Sequence, residues 1–169
     1  KVVLKNISMT LEEGRIYGLL GENGVGKTTL LTLLCGLKRP RTGSIDTDGM
    51  KPFDRQPSLL SDQYYLSDEV PAMNMKAEDY AKNYGKFWEK FDLEKFTEVM
   101  SVFENDIDIP MHKMSYGQLK KTFISFALAC NTKYLLMDEP TNGLDIPSKA
   151  QFRKAVTRYT REDAVILIS

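Results

Sequence analysis

Residues Gly21 to Thr28 read Gly-Glu-Asn-Gly-Val-Gly-Lys-Thr, and residue types in that order fit one chemistry, the gripping of a triphosphate. Wrapping phosphate oxygens takes several backbone N–H groups aimed inward, and Gly21, Gly24 and Gly26 let the chain turn sharply enough to aim them. Lys27 sets a cation near the outer phosphates, where an opposite charge about 4 Å away is worth roughly 4 kcal/mol at intermediate dielectric. Thr28 offers its hydroxyl to Mg2+, Thr29 adds a donor, and Glu22, Asn23 and Val25 complete the loop whose backbone faces the nucleotide. The free amides that open the following helix add a partial positive charge.

Two further groupings carry chemistry. Tyr134-Leu135-Leu136-Met137 is a short apolar run that ends in Asp138, Glu139 and Pro140, the pattern of a buried parallel strand whose carboxyl end bears function. A buried acid needs a compensating charge, so Asp138 is the candidate for the magnesium ion that accompanies a triphosphate. Successive strand residues face opposite sides, which frees Glu139 to orient and deprotonate an attacking water. Upstream, Ser115-Tyr116-Gly117-Gln118 precedes Leu119, Phe123, Phe126, Ala127 and Cys130 on one helical face, a helix start with Ser-x-x-Gln capping chemistry.

The elements that must position these groups are legible in outline. Val2 to Leu11 has strand character and Glu13-Gly14 turns into a second strand, Arg15 to Leu20, predicting a hairpin ahead of the loop. The strand before the loop is expected to be buried, and Leu30 to Leu37 repeat at helical spacing after it. Ser44 to Thr47 reads as another short strand. From Met75 to Phe103 the chain is charged and helical, two helices divided near Asp92, with Tyr80, Tyr84, Phe87, Trp88 and Phe91 on one face as core. Ser148 to Arg161 forms an amphipathic helix, followed by the apolar strand Ala164 to Ile168.

With 169 residues the chain holds one domain, or one core with an inserted subdomain. Lys plus Arg balances Asp plus Glu at 23 each, so no global field favours nucleic acid or an anionic membrane, and no nucleic-acid partner is expected. Cys35 and Cys130 sit in apolar helical patterns and read as small core residues of a protein in a reducing compartment. No stretch reaches the roughly 20 apolar residues that span a bilayer, so the chain is expected to be soluble.

The phosphate loop, Met114-Ser115-Tyr116-Gly117-Gln118 and Leu135-Leu136-Met137-Asp138-Glu139-Pro140 stand in the order found in ATP-binding-cassette (ABC) ATPases, and Thr141-Asn142-Gly143-Leu144-Asp145 resembles that family's dimer-contact loop. The resemblance covers essentially the whole chain. It implies an α/β fold: a P-loop NTPase core with a mainly parallel sheet, an N-terminal antiparallel β subdomain and an inserted helical subdomain. On that pattern, residues 1–62 form the β subdomain and P-loop core, 63–125 the helical subdomain ending in the Ser115 helix, and 126–169 the rest of the core. It further implies ATP and Mg2+ as ligands and a head-to-tail dimer, homodimer or close paralogue. Each ATP would lie between the loop of one subunit and Ser115, Gly117 and Gln118 of the other. Glu139 would be catalytic, with Thr28, Asp138 and Gln63 at the metal, although Asp62 competes with Gln63 for that register.

The expected function is the ATP-hydrolysing subunit of an ABC transporter, peripheral on the cytoplasmic face of the membrane through a transmembrane permease. The alternative is a soluble ABC-type ATPase acting on ribosomes or nucleic acid. A GTPase is disfavoured, because no Asn-Lys-x-Asp guanine-reading motif is present. Tyr116 departs from the glycine most common in the family. His112 precedes the Ser115 stretch and does not match the family's switch histidine, which would follow Ser169. The adenine-stacking aromatic would precede Lys1, so the chain reads as trimmed at both ends.

Overall fold

The computed structural model describes residues 3–169. Four strands, β1 (Arg15–Gly18), β2 (Gln63–Leu66), β3 (Tyr134–Met137) and β4 (Val165–Ile168), form one parallel sheet in the order β1-β4-β3-β2. The apolar run before Asp138 therefore lies at the sheet centre, paired on both sides, as its unbroken hydrophobicity requires.

Helices cover both faces. On one lies α1 (Lys27–Leu34), whose Leu31 packs with Cys35, Leu136 and Leu167. On the other, α3 (Ala77–Tyr84), α4 (Leu93–Val102), α5 (Tyr116–Ala129) and α6 (Ile146–Tyr159) build the main core with alternate residues of the strands, Leu135, Met137 and Ile166 among them. A four-residue helix, α2 (Pro57–Leu60), leads into β2. Phe126 of α5 is fully buried and is ringed by Tyr64, Tyr80, Trp88 and Phe91 at centroid distances of 5.8, 5.0, 5.6 and 5.1 Å. The aromatic face expected between residues 80 and 91 is thus core, except for Phe87, which is exposed. The division near Asp92 is also present: its carboxylate accepts the Lys95 N–H at 2.9 Å and caps α4.

Several sequence expectations are corrected. The leucine run continues to Leu37, but α1 stops at Leu34, because Gly36 takes a left-handed conformation (φ 73°). The Leu37 N–H then bonds back to Thr32 O and the Gly36 N–H to Leu33 O, a Schellman ending. A Cβ on Gly36 would lie 2.1 Å from Pro52 O, so no other residue fits there. The strand expected from Val2 to Leu11 does not form among the described residues, and Val2 itself lies outside them. Asn6 has φ 53°, which interrupts extended backbone, and an unpaired strand has no partner to stabilise it. Among the described residues the antiparallel β subdomain is accordingly reduced, at Ser44 to Thr47, to a single bridge between Thr47 and Met50. β1 is an edge strand rather than a buried one: Ile16 is 53% exposed and Leu20 beyond it 97%. Finally, Gln63–Leu66 is part of the central sheet, so the inserted helical part begins after Leu66, not at 63.

Candidate active site

The phosphate loop leaves β1 and closes on the first turn of α1. Gly24 and Gly26 adopt φ 80° and 118°, conformations that L side chains avoid, and a Cβ on Gly26 would strike the Leu4 side chain at 2.7 Å. Lys27 is the first helical residue, and its Nζ is held by Gly21 O at 2.8 Å and Glu22 O at 3.4 Å. The cation is therefore fixed above the loop rather than swinging on a free stem. Thr28 presents its side chain on an exposed position of the same helical turn, with Thr29 half-buried beside it.

The two acids after β3 go to different environments. Asp138 is 3% exposed; its Oδ1 accepts the Ser169 hydroxyl at 2.7 Å and its Oδ2 accepts the Tyr65 hydroxyl at 3.4 Å. Both donors are neutral, and no cation pairs with this carboxylate among the described residues. Burial pushes the Tyr65 hydroxyl up to about 12, with the Asp138 charge adding to the effect, so Tyr65 remains a donor at neutral pH. Glu139 has φ 45° and turns the other way, placing Oε1 3.5 Å from Lys27 Nζ. Ser169 links the two acids, donating to Asp138 and accepting the Glu139 N–H at 3.0 Å.

A buried carboxylate with only neutral partners, in a chain whose phosphate loop ends in an exposed threonine, fits a divalent cation. No group of three His, Cys, Asp or Glu side chains among the described residues would hold a metal unaided. The fit is with a cation that arrives on a polyphosphate and takes two protein oxygens.

Gln63 does not join this site. It pairs with Tyr134 at the amino end of β2, whereas the acids follow Met137 beyond the other end, the first of them four residues or about 13 Å along the strand direction. Its Nε2 donates to Cys35 O at 3.0 Å. Asp62 is farther still: its Oδ1 is shared by Lys90, the Lys133 N–H and Arg161, a clasp at the sheet's far end. Within β2 it is Tyr65 that reaches an acid, through its hydroxyl on Asp138, and just past the strand Asp68 is joined to the Glu139 backbone through Lys120, whose Nζ lies 3.0 Å from Asp68 Oδ1 and 3.2 Å from Glu139 O. Sequence reasoning missed both by giving weight to the glutamine side chain over the strand's length.

At the start of α5 the capping box is complete. Ser115 Oγ accepts the Gln118 N–H at 3.3 Å, and Gln118 Oε1 accepts the Ser115 N–H at 2.9 Å. Tyr116 leans on the 141–145 loop of the same chain: a Cβ on Gly143 (φ 78°) would lie 2.6 Å from its ring, while its hydroxyl donates to Asp68 O at 2.8 Å. Gly117 faces Gly143 O, 3.2 Å from where a Cβ would stand. Ser115 stays exposed, and no hydrogen bond or ion pair joins Ser115–Gln118 to the phosphate loop among the described residues.

Lys120 was also missed. It is fully buried, with Nζ 3.0 Å from Asp68 Oδ1 and 3.2 Å from Glu139 O. On the sequence it is one of two adjacent lysines in an amphipathic helix, and only the packing of β2 and β3 against α5 reveals it as interior.

A parallel sheet with the phosphate loop on an edge strand, two strands from the acid-bearing one, defines a P-loop nucleoside triphosphatase. The chain belongs to the ABC transporter family, whose model matches residues 4–142. It is an ATP-binding, ATP-hydrolysing subunit of an ABC transporter. Among curated relatives, the ABC transporter ATP-binding protein NatA of Bacillus subtilis is 31% identical over 174 residues, 98% of this chain and 70% of that protein. The energy-coupling factor transporter ATP-binding protein EcfA2 of Staphylococcus epidermidis is 28% identical over 181 residues, covering 98% of this chain and 63% of that one. Among solved structures, the ADP- and Pi-bound dimer of the cassette MJ0796, described as a post-hydrolysis state, superposes with TM-score 0.84 at 20% identity over 98% of this chain and 78% of that one. At that identity the likeness speaks for the fold.

Proposed function

We propose that MgATP is bound by Glu22, Asn23, Gly24, Val25, Gly26, Lys27, Thr28 and Thr29 of one subunit and covered by Ser115, Gly117 and Gln118 of a second, identical or closely related, subunit. Thr28 and Asp138 hold the magnesium, which supplies charge neutralisation to the terminal phosphates. Lys27 exchanges its loop carbonyls for phosphate oxygens. Glu139 accepts a proton from the attacking water, while Ser169 and Tyr65 hold Asp138 apart from that task. The Ser115 helix start directs its partial positive charge outward, toward a phosphate carried by the other subunit. Closure around ATP and opening after hydrolysis then move a transmembrane permease subunit or domain, with this chain on the inner face of the membrane.

The observation that carries this reading is the split of the two acids: Asp138 is buried among neutral donors, and Glu139 stands 3.5 Å from the Lys27 ammonium. The test is steady-state ATPase of Glu139→Gln in the intact protein. Turnover is lost while nucleotide binding persists; turnover near the wild-type rate would refute the assignment.

A further inference from the structure

A fully buried lysine is an expensive way to fill space, because desolvating an ammonium costs several kcal/mol and an apolar side chain would serve packing as well or better. Lys120 has two polar partners, Asp68 Oδ1 and Glu139 O. Both lie just past the carboxyl ends of the neighbouring strands β2 and β3, which close with the pair Leu66 and Met137.

Glu139 needs outside support. Its φ of 45° is unfavourable for a residue with a side chain, and such a conformation persists only where its surroundings over-determine it. Three contacts do so: Ser169 Oγ on its N–H, and the Asn142 N–H and Lys120 Nζ on its carbonyl. Asp68 in turn takes Asn142 Nδ2 at 3.3 Å on the oxygen that Lys120 uses, and its own carbonyl takes the Tyr116 hydroxyl. The buried ammonium thus knots together α5, the end of β2 and the loop after β3.

We propose that Lys120 is a positioning residue for hydrolysis: it fixes the Glu139 backbone, and so the direction of its carboxylate, and ties that acid to the helix start at Ser115. A shift of α5 as its first turn meets the other subunit's nucleotide is then transmitted to this subunit's own general base. The inference rests on the role given to Glu139 above. Misplacing a reacting group by about 1 Å costs on the order of a hundredfold, whereas contacts to the bound nucleotide stay intact.

The experiment uses the full-length protein and measures kcat, KM, ATP affinity and melting temperature together. In Lys120→Met, kcat falls roughly tenfold to a hundredfold, while ATP affinity stays within about threefold. Lys120→Gln keeps a donor and retains more turnover than Lys120→Met at matched melting temperature. The double variant K120M/D68L removes the charge pair whole; it regains melting temperature and remains slow. A folded Lys120→Met with wild-type kcat, or a double variant in which turnover returns along with stability, would overturn the proposal; if the single variant does not fold, the double variant decides. Glu139→Gln, assayed beside them, separates the two readings: if it is inactive while Lys120→Met is fully active, the Lys120 assignment alone fails.

Discussion

Replacing Lys27 by alanine isolates the loop's central electrostatic claim. Its Nζ already sits 2.8 Å from Gly21 O and 3.4 Å from Glu22 O, so little side-chain freedom remains to be lost when phosphate takes their place. A charge-assisted hydrogen bond contributes about 1.5–3 kcal/mol net, and one unit charge about 4 Å away contributes roughly 4 kcal/mol at an effective dielectric of 20. Against this stands the Glu139 carboxylate at 3.5 Å, whose attraction for Lys27 must be given up; that side chain is 41% exposed, so solvent screens the pair to well under its Coulomb value. The net expectation is a loss of about 2–4 kcal/mol, a 30- to 1000-fold weakening of ATP binding. Equilibrium nucleotide titration reads it directly, with Lys149→Ala on the exposed side of α6 as control. A melting curve checks that the fold persists. Affinity within threefold of wild type would show that Lys27 does not face the phosphates.

Two further predictions concern stability. Phe126→Ala removes a fully buried ring with four aromatic neighbours and is expected to cost about 3–5 kcal/mol; a denaturant midpoint close to wild type would mean the cluster is looser than its distances indicate. On the acid side, hydrogen bonding from Arg161 holds the Asp163 carboxyl below its usual range, Lys133 does the same for Asp48, and the Ser148 hydroxyl does so for Asp145. Folded-state values below the unfolded ones mean that acidification protonates the unfolded chain first. The stability these groups supply is complete above about pH 4 and drains away as pH falls through their folded values. Melting temperature should therefore drop below pH 4, with a shallower drop in Asp163→Asn; a rise on acidification would contradict the sign.

The parts legible in the sequence were those set by local chemistry. The phosphate loop, the Ser115 cap and the strand leading into Asp138 each depend on a few neighbouring residues, and each stands where the pattern put it. Asp92 marked a helix boundary for the same reason. What escaped depends on residues distant in the chain. Lys120 becomes interior only because Asp68 and Glu139, 52 and 19 residues away, close over it. Gln63 looked attractive as a side chain, yet parallel register with β3 puts the useful end of β2 beyond Leu66. The leucines to Leu37 kept helical spacing past the point where Gly36 turns the backbone, a case where one φ overrides periodicity. The apolar residues of β1 promised burial, but an edge position leaves Ile16 facing outward.

The central claim is that two subunits clamp ATP at a shared interface and that Glu139 ends the clamped state by activating water. The mass in solution of intact Glu139→Gln protein, measured with MgATP and with MgADP, tests it most directly. The account predicts a stable dimer carrying two ATP molecules per pair in the first case and monomer in the second. Monomer in both, with ATP turnover undiminished, would contradict it.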